Sequence, residues 1–477
     1  MANRRKFLKQ SALLSAGLIT KNLVPNFLLP SKYSSQRPAI NKRNFSSVSV
    51  NNFIEQSKLT IKDEEVAWLF ENCYPNTLDT TVDFEILQGK PDTYVITGDI
   101  DAMWLRDSTA QITPYLPFVK EDEALAKLVE GVIHRQKKCI ILDSYANAFY
   151  KDPKKESEWK SDLTTMQPGT HERKWEIDSL CYPIRLAYKY WELTGKVEVF
   201  DDQWVSVIQK TLITFKEQQR KENNGPYTFQ RTTAWATDGV PLGGYGYPVN
   251  PVGLICSMFR PSDDATIFPF LIPSNCFAVV SLRQAAELLN KVKNNKKLAA
   301  DCLQLATEVD KAIQQYGIVH HEKFGKIYAY EVNGHGSFNL MDDANVPSLL
   351  SLPYLGYLNS EDPIYQNTRK FVLSSSNPFF YKGIKGEGIG GPHAGANMIW
   401  PLSIIMRALT SKSKEEVTFC LKMLKNTHAN TGFMHESFHK DDANNFTRKW
   451  FAWANTLYGE LVQHTLATYP SILKNEI

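Results

Sequence analysis

Apolar residues recur at intervals of three and four in segment after segment of this chain, from about residue 55 to about residue 465, which is the spacing of helices with one buried face. The pattern is clear over 121–140 (Leu125, Leu128, Val129, Val132) and 204–218 (Val207, Ile208, Leu212, Ile213), and again over 275–290, 296–315, 396–410, 414–425 and 449–465. From Ile177 onward, Leu180, Cys181, Ile184, Ala187, Tyr188 and Trp191 share one face. Strand-like alternation is confined to short pieces such as Lys326 to Val332. Roughly ten to twelve helices with so little strand exclude a doubly wound sheet and a (β/α)8 barrel. No second linker or low-complexity tract divides the chain, so 55–477 reads as one domain, large enough to need an architecture that grows by repetition. No fixed-length repeat is visible. Long loops rich in Gly and Pro, 237–253 and 383–395, join the helices, and loops of that length are usually functional.

Charge excludes little beyond nucleic acid. The 54 basic and 51 acidic residues nearly cancel, so no basic surface argues for nucleic acid or an anionic membrane. The 10 Trp, 21 Tyr and 25 Phe are permissive for sugar stacking, although core packing uses most such rings. Seven cysteines, odd in number and without a CxxC pair, are neither a disulfide framework nor a cysteine zinc site. Residues 1–30 open with Arg4 and Arg5, then a short apolar stretch, and resemble a twin-arginine export signal; they predict a periplasmic or otherwise exported protein. Residues 31–54, polar and Ser-rich, read as a tether. No apolar segment is long enough to span a bilayer.

Five segments carry chemistry. Thr97–Gln111 (TGDIDAMWLRDSTAQ) holds Asp99, Asp101, Trp104, Arg106 and Asp107 at a helix start. Carboxylates can hold neighbouring sugar hydroxyls, a guanidinium can orient both, and an indole can stack on a ring; helix capping by Ser108 and Gln111 is an equally good reading. Glu176 and Asp178 lead into a helix in KWEIDSLCYP, where plain capping competes. In FRPSDDA, Asp263 and Asp264 follow Arg260 and precede an apolar run, where a desolvated carboxyl would have the raised pKa of a general acid. The Gly-rich GEGIGGPHAG places His393 before a helix but lacks a phosphate-loop ending. Finally, GFMHESFH formally matches HExxH: on a helix His435 and His439 would bind zinc with Glu436 as base and Glu460 as a third ligand. Its flanks are turn-like, so the segment is expected on a loop.

Taken in order, GDIDAMWLRDS, EIDSLCYPI, FRPSDDA, IPSN, GGPHAG with NMIWP, and GFMHESF resemble the motif series of glycoside hydrolase family 125, bacterial exo-α-1,6-mannosidases, over about residues 55 to 470. The resemblance implies an all-α (α/α)6 barrel whose long loops form an active-site pocket at one end. It also implies inverting removal of terminal α-mannose from glycans, without metal or other cofactor. FRPSDDA would supply the acid, Asp263 with Asp264 as the alternative, and Glu436 the base. Asp101, Trp104, Arg106, Asp107, Asp178, Arg260 and His393 would grip the mannose. The competing readings are a zinc hydrolase through His435, Glu436 and His439, and a glycan-binding protein without turnover.

Overall fold

The computed structural model describes residues 33–477; the export-signal segment 1–30 lies outside them. The helices that build the body are α1 (Val48–Thr60), α2 (Glu64–Cys73), α3 (Leu105–Ile112), α4 (Glu123–Leu142), α5 (Ile177–Thr194), α6 (Asp202–Gln218), α7 (Ile272–Lys291), α8 (Lys296–Tyr316), the short α9 (Leu352–Leu355), α10 (Pro363–Val372), α11 (Pro401–Leu409), α12 (Lys414–Lys425) and α13 (Ala452–Thr468).

Burial alternates along this series. All of α3 is buried, as are α5 from Ile177 to Ala187 and α7 from Ile272 to Leu282. By contrast, α8 buries a single stripe, Leu298, Cys302, Leu305, Val309 and Ile313. Helices enclosed on all sides must lie inside, and helices with one apolar stripe must wrap them. In the inner ring α3 packs on α5, α5 on α7 and α7 on α9, while α11 packs on α13, which returns to α3. Outside, α8 lies along α7 and α12 along α11, and the partner of α13 is α2, from the other end of the chain. This is the (α/α)6 barrel, and its ring closes only when the first helices meet the last.

Capping separates the two rings. Each outer helix starts on a side chain that accepts from its first turn: Asp63, Asp122, Asp201, Asn295, Asp362 and Ser413 for α2, α4, α6, α8, α10 and α12. The inner helices have no such cap; Trp104, Glu176, Leu271, Ser351, Trp400 and Phe451 precede them. Free N–H groups and positive dipole ends therefore face whatever lies beyond these starts. Three small sheets feed this end, with strands Met103–Trp104, Phe270–Leu271 and Met398–Ile399 leading into α3, α7 and α11.

Residues 33–54 are not a tether. Tyr33 stacks on Trp68 at 5.0 Å, and Arg37 donates to both oxygens of the buried Asp79 at 2.7 and 3.0 Å. Ser47 caps α1 and donates to Asp122 at 2.6 Å, tying α1 to the cap of α4. Arg37 and Ser47 tie the segment to the body, while Ser34, Ser35, Asn41 and Lys42 on its other side are exposed. Among the described residues the seven cysteines are buried and free, and no helix is long and apolar enough to cross a membrane.

Candidate active site

The uncapped starts of α3 and α5 meet at one guanidinium. Arg106, buried in the first turn of α3, donates through Nη1 to Glu176 Oε2 at 2.6 Å and Asp178 Oδ2 at 3.2 Å, and through Nη2 to Asp263 Oδ1 at 3.0 Å. Asp107 Oδ2 lies 3.6 Å from its Nε, and Trp453 of α13 packs over its face. Three sequence motifs thus converge on a planar fork suited to several carboxylates at once.

Asp263 sits in a turn closed by its own motif: its N–H donates to the Arg260 carbonyl at 2.9 Å, and the Arg260 N–H to the Asp264 carbonyl at 2.8 Å. Its φ of 65° is the left-handed region that few side chains adopt, and such strain is kept where surroundings enforce it. Asn147 Nδ2, 3.3 Å from Asp263 Oδ1, and Lys174 Nζ, 2.9 Å from its carbonyl oxygen, enforce it here. Asp263 is 24% exposed, whereas Asp264 is 2% exposed, accepting from Thr237 Oγ1 at 2.7 Å and Ser262 Oγ at 3.4 Å.

His393 Nδ1 stands 3.5 Å from Asp264 Oδ1. Gly391 lets its loop come this close, because a Cβ there would lie 2.9 Å from the Asp343 carboxylate. The ring of His393 feels Asp264, Glu436 and Asp263 together, which puts it between the third motif and the fifth. Its outer neighbour is Trp400, edge-on at 6.0 Å.

Glu436 precedes the strand Ser437–His439, and Arg448 Nη1 donates to its Oε1 at 3.3 Å. Arg448 also grips Asp99 with Nε and Nη2 and packs over Phe451, the residue that starts α13. His435 and His439 are on a loop and a strand, not a helix. The His435 ring stacks on Phe446 at 3.9 Å, with Nδ1 on the Lys449 carbonyl at 2.8 Å, so its packing is structural. Among the described residues no group of three or more His, Cys, Asp or Glu is arranged to hold a metal ion.

Crowded charge in a dry space moves the pKa values apart. Burial first, then the neighbouring Asp263 and Asp178, pushes the Glu176 carboxyl well above the usual range against the pull of Arg106. Burial likewise lifts Asp107 and Asp178 to about 6. Burial would raise Asp263 too, but Arg106, a hydrogen bond from Glu176 and Lys174 hold it below the usual carboxylate range. Burial opposes a charge on His393, yet its hydrogen bond to Asp264 and the surrounding carboxylates raise it to about 9. Glu176 is the most strongly raised carboxyl of this cluster; the expectation that the aspartate beside the apolar run would carry the raised pKa is corrected for Asp263 by the Arg106 guanidinium that α3 brings against it.

The structure thus brings together Arg106, Asp107, Asp178, Asp263, Asp264, His393 and Glu436. Trp104 is buried at the start of α3 with its ring edge on His171 at 5.1 Å. Two expected residues stand elsewhere. Asp101 is on the surface, paired at 3.6 Å with Lys155, because the turn after Gly98 leaves Asp99 as the acid that reaches Arg448. Arg260 lies behind the turn, donating to the buried Glu331 at 2.7 Å, and so shapes the acid motif without facing its opening. Asn147 and Arg448 carry no signal of their own in the sequence. Glu176 is singled out in the sequence beside Asp178 but without a site role, and Lys174 lies in the same motif.

A ring of paired helices with acids gathered at the starts of its inner members defines a glycoside hydrolase of the (α/α)6 class. A bacterial glucoamylase in complex with acarbose has the same fold at a TM-score of 0.51, with 14% identity, over 90% of this chain and 58% of that one. The profile described as "Metal-independent alpha-mannosidase (GH125)" matches residues 63–463, and the chain belongs to that family, glycoside hydrolase family 125. It is 41% identical to a metal-independent alpha mannosidase of Streptococcus pneumoniae, solved as a non-productive complex with α-1,6-mannobiose, with a TM-score of 0.84 over 88% of this chain and 98% of that one. It is also 44% identical to the Meiotically up-regulated gene 157 protein of Schizosaccharomyces pombe, over 93% of this chain and 91% of that one. The protein is a metal-independent α-mannosidase.

Proposed function

We propose that the protein removes single terminal α-1,6-linked mannose residues from the non-reducing end of mannose-containing oligosaccharides, with inversion at the anomeric carbon. Inversion needs an acid on the leaving oxygen and a base on a water at the opposite face of the sugar. The observation that carries the reading is the pair Asp263 and Glu436, each held by its own arginine, Arg106 and Arg448, and both acting on the charge of His393. Asp263 fits the acid better than Asp264, whose carboxylate is occupied by Thr237, Ser262 and His393. Glu436 takes the proton of the attacking water. On this reading Asp107 and His393 bind mannose hydroxyls, while Asp178, as enclosed as Glu176, acts through Arg106, and a buried polar group left unpaired by the wrong epimer would reject glucose. The choice of the α-1,6 linkage is supported by the ligand of the Streptococcus protein.

The test uses α-1,6-mannotriose labelled at its reducing end. Exo action gives free unlabelled mannose and labelled mannobiose first; early labelled mannose would mean cleavage inside the chain and would overturn the reading. The export expectation is a proposal of the same standing, supported by Arg4 and Arg5, and mature protein found in the cytoplasm with Met1 retained would contradict it.

A further inference from the structure

Four carboxylates, Asp107, Glu176, Asp178 and Asp263, surround Arg106, and the next cation, Lys174, already serves Asp238 at 2.5 Å and Glu172 at 3.4 Å. Lys174 reaches Asp263 only at its carbonyl oxygen, and His393 and Arg448 act on Asp263 and Asp107 without an ion pair to them, so four acids in contact with a single guanidinium in a dry space favour keeping one proton among them. The hydrogen bonds leave two carboxyl oxygens of the cluster free to carry it, one on Glu176 and one on Asp178. Glu176 Oε2 accepts from Arg106 at 2.6 Å and from Ser179 Oγ at 2.9 Å, while its Oε1 is buried with no donor in reach. Asp178 Oδ1 is likewise without a donor, but Glu176 makes the closer contact to Arg106, 2.6 Å against 3.2 Å, on the nitrogen next to the one that holds Asp263, and its carboxyl is pushed further up by Asp263. A buried carboxyl oxygen that accepts from no donor is the atom on which a proton kept by the cluster costs least.

Glu176 is 0% exposed and cannot meet a sugar, whereas Asp263 opens into the site. We propose that Glu176 is the store that loads Asp263 with the proton it hands to the departing glycosidic oxygen, Arg106 passing its charge from one to the other. This rests on the hydrolytic reading above. In the resting site Glu176 is a neutral carboxylic acid and Asp263 a carboxylate on Arg106 Nη2. Glu176 first passes its proton to Asp263, which becomes the neutral acid; as the bond from the anomeric carbon to the leaving oxygen breaks, its electron pair goes to that oxygen, which takes this proton and leaves Asp263 a carboxylate again. Glu176 ends as a carboxylate on Arg106 Nη1, at the 2.6 Å contact already formed. The proton that Glu436 takes from the attacking water returns to solvent, and the store refills from solvent. Two acids fixed on one fork explain how a carboxylate paired with arginine can act as an acid at all. Glu176 is in this sense a positioning residue for the proton, since it acts through Asp263.

The test compares two substrates. Mannobiose leaves as an alkoxide and needs the acid; 2,4-dinitrophenyl α-mannoside leaves without one. In Glu176→Gln, kcat on α-1,6-mannobiose is expected to fall by about 100-fold or more, the weight of a general acid, with a loss below about fivefold on the aryl mannoside. Equal losses on both would reduce Glu176 to a packing role, and no loss on mannobiose would mean the proton comes from elsewhere; either overturns the proposal. Should the glutamine variant not fold, Glu176→Asp, which draws the carboxyl back from Asp263, decides in the same way: a mannobiose loss well beyond the aryl loss supports the store, and matching losses sink it. Wild-type protein that hydrolyses neither substrate would refute the mannosidase reading itself, a result distinct from either.

Discussion

Arg106 Nη2 and Asp263 Oδ1 are 3.0 Å apart, and the same guanidinium holds Glu176 and Asp178 through its other nitrogen. A lysine has the charge but not the fork, so Arg106→Lys can serve one of these acids and leaves the others facing each other. The variant is expected to lose about 100-fold or more in kcat through misplacement of Asp263. Arg106→Ala, which strands several buried charges, should lower stability by about 3–5 kcal/mol. Steady-state kinetics and chemical denaturation of the two variants check both statements.

Arg448 links Glu436 to Asp99, and in the proposed mechanism only the first of these acids takes a proton from the attacking water. Glu436→Gln should cost about 10²–10⁴-fold in kcat, the range of a general base. Asp99 is half exposed, so Asp99→Asn should cost no more than a few-fold. Comparable losses in the two variants would contradict the assignment of the base.

His393 stays protonated up to about pH 9 because Asp264, Glu436 and Asp263 surround it. A histidine whose folded pKa exceeds its unfolded value of about 6.5 contributes stability that is complete below about pH 6.5 and is lost as pH rises through about 9. Thermal melts of wild type and His393→Asn should therefore differ most at pH 6 and converge above pH 9. The same loss of a cation should bring activity down through about pH 9 in the wild type. A stability gap between the two proteins that stays constant from pH 6 to pH 10 would contradict this.

The helices were legible where an outer member has a single apolar stripe, as in Leu298, Cys302, Leu305 and Val309, or an enclosed one is largely apolar, as in Ile272–Leu282; the enclosed α3, LRDSTAQI, has neither pattern. Long-range pairing was not. Nothing local says that Arg37 will neutralise Asp79, so a polar segment that packs on the body read as a tether. The same holds in the site. Motif membership found Arg106, Asp263, His393 and Glu436, but Asp101 and Asp99 sit two residues apart in one motif, and only the turn at Gly98 decides which of them meets Arg448. The proton was the least legible feature. Whether Asp263 or Glu176 keeps it depends on how many acids share one guanidinium, a property of three chain segments and not of any one.

The central claim is inverting hydrolysis by two carboxylates, and proton NMR of the anomeric signals during the first turnovers of α-1,6-mannobiose tests it most directly. Mannose released at first as the β-anomer, with α appearing only as mutarotation proceeds, is the predicted result. Release at first as the α-anomer would contradict the account, because it would require a retaining mechanism in place of Asp263 acting opposite a water held by Glu436.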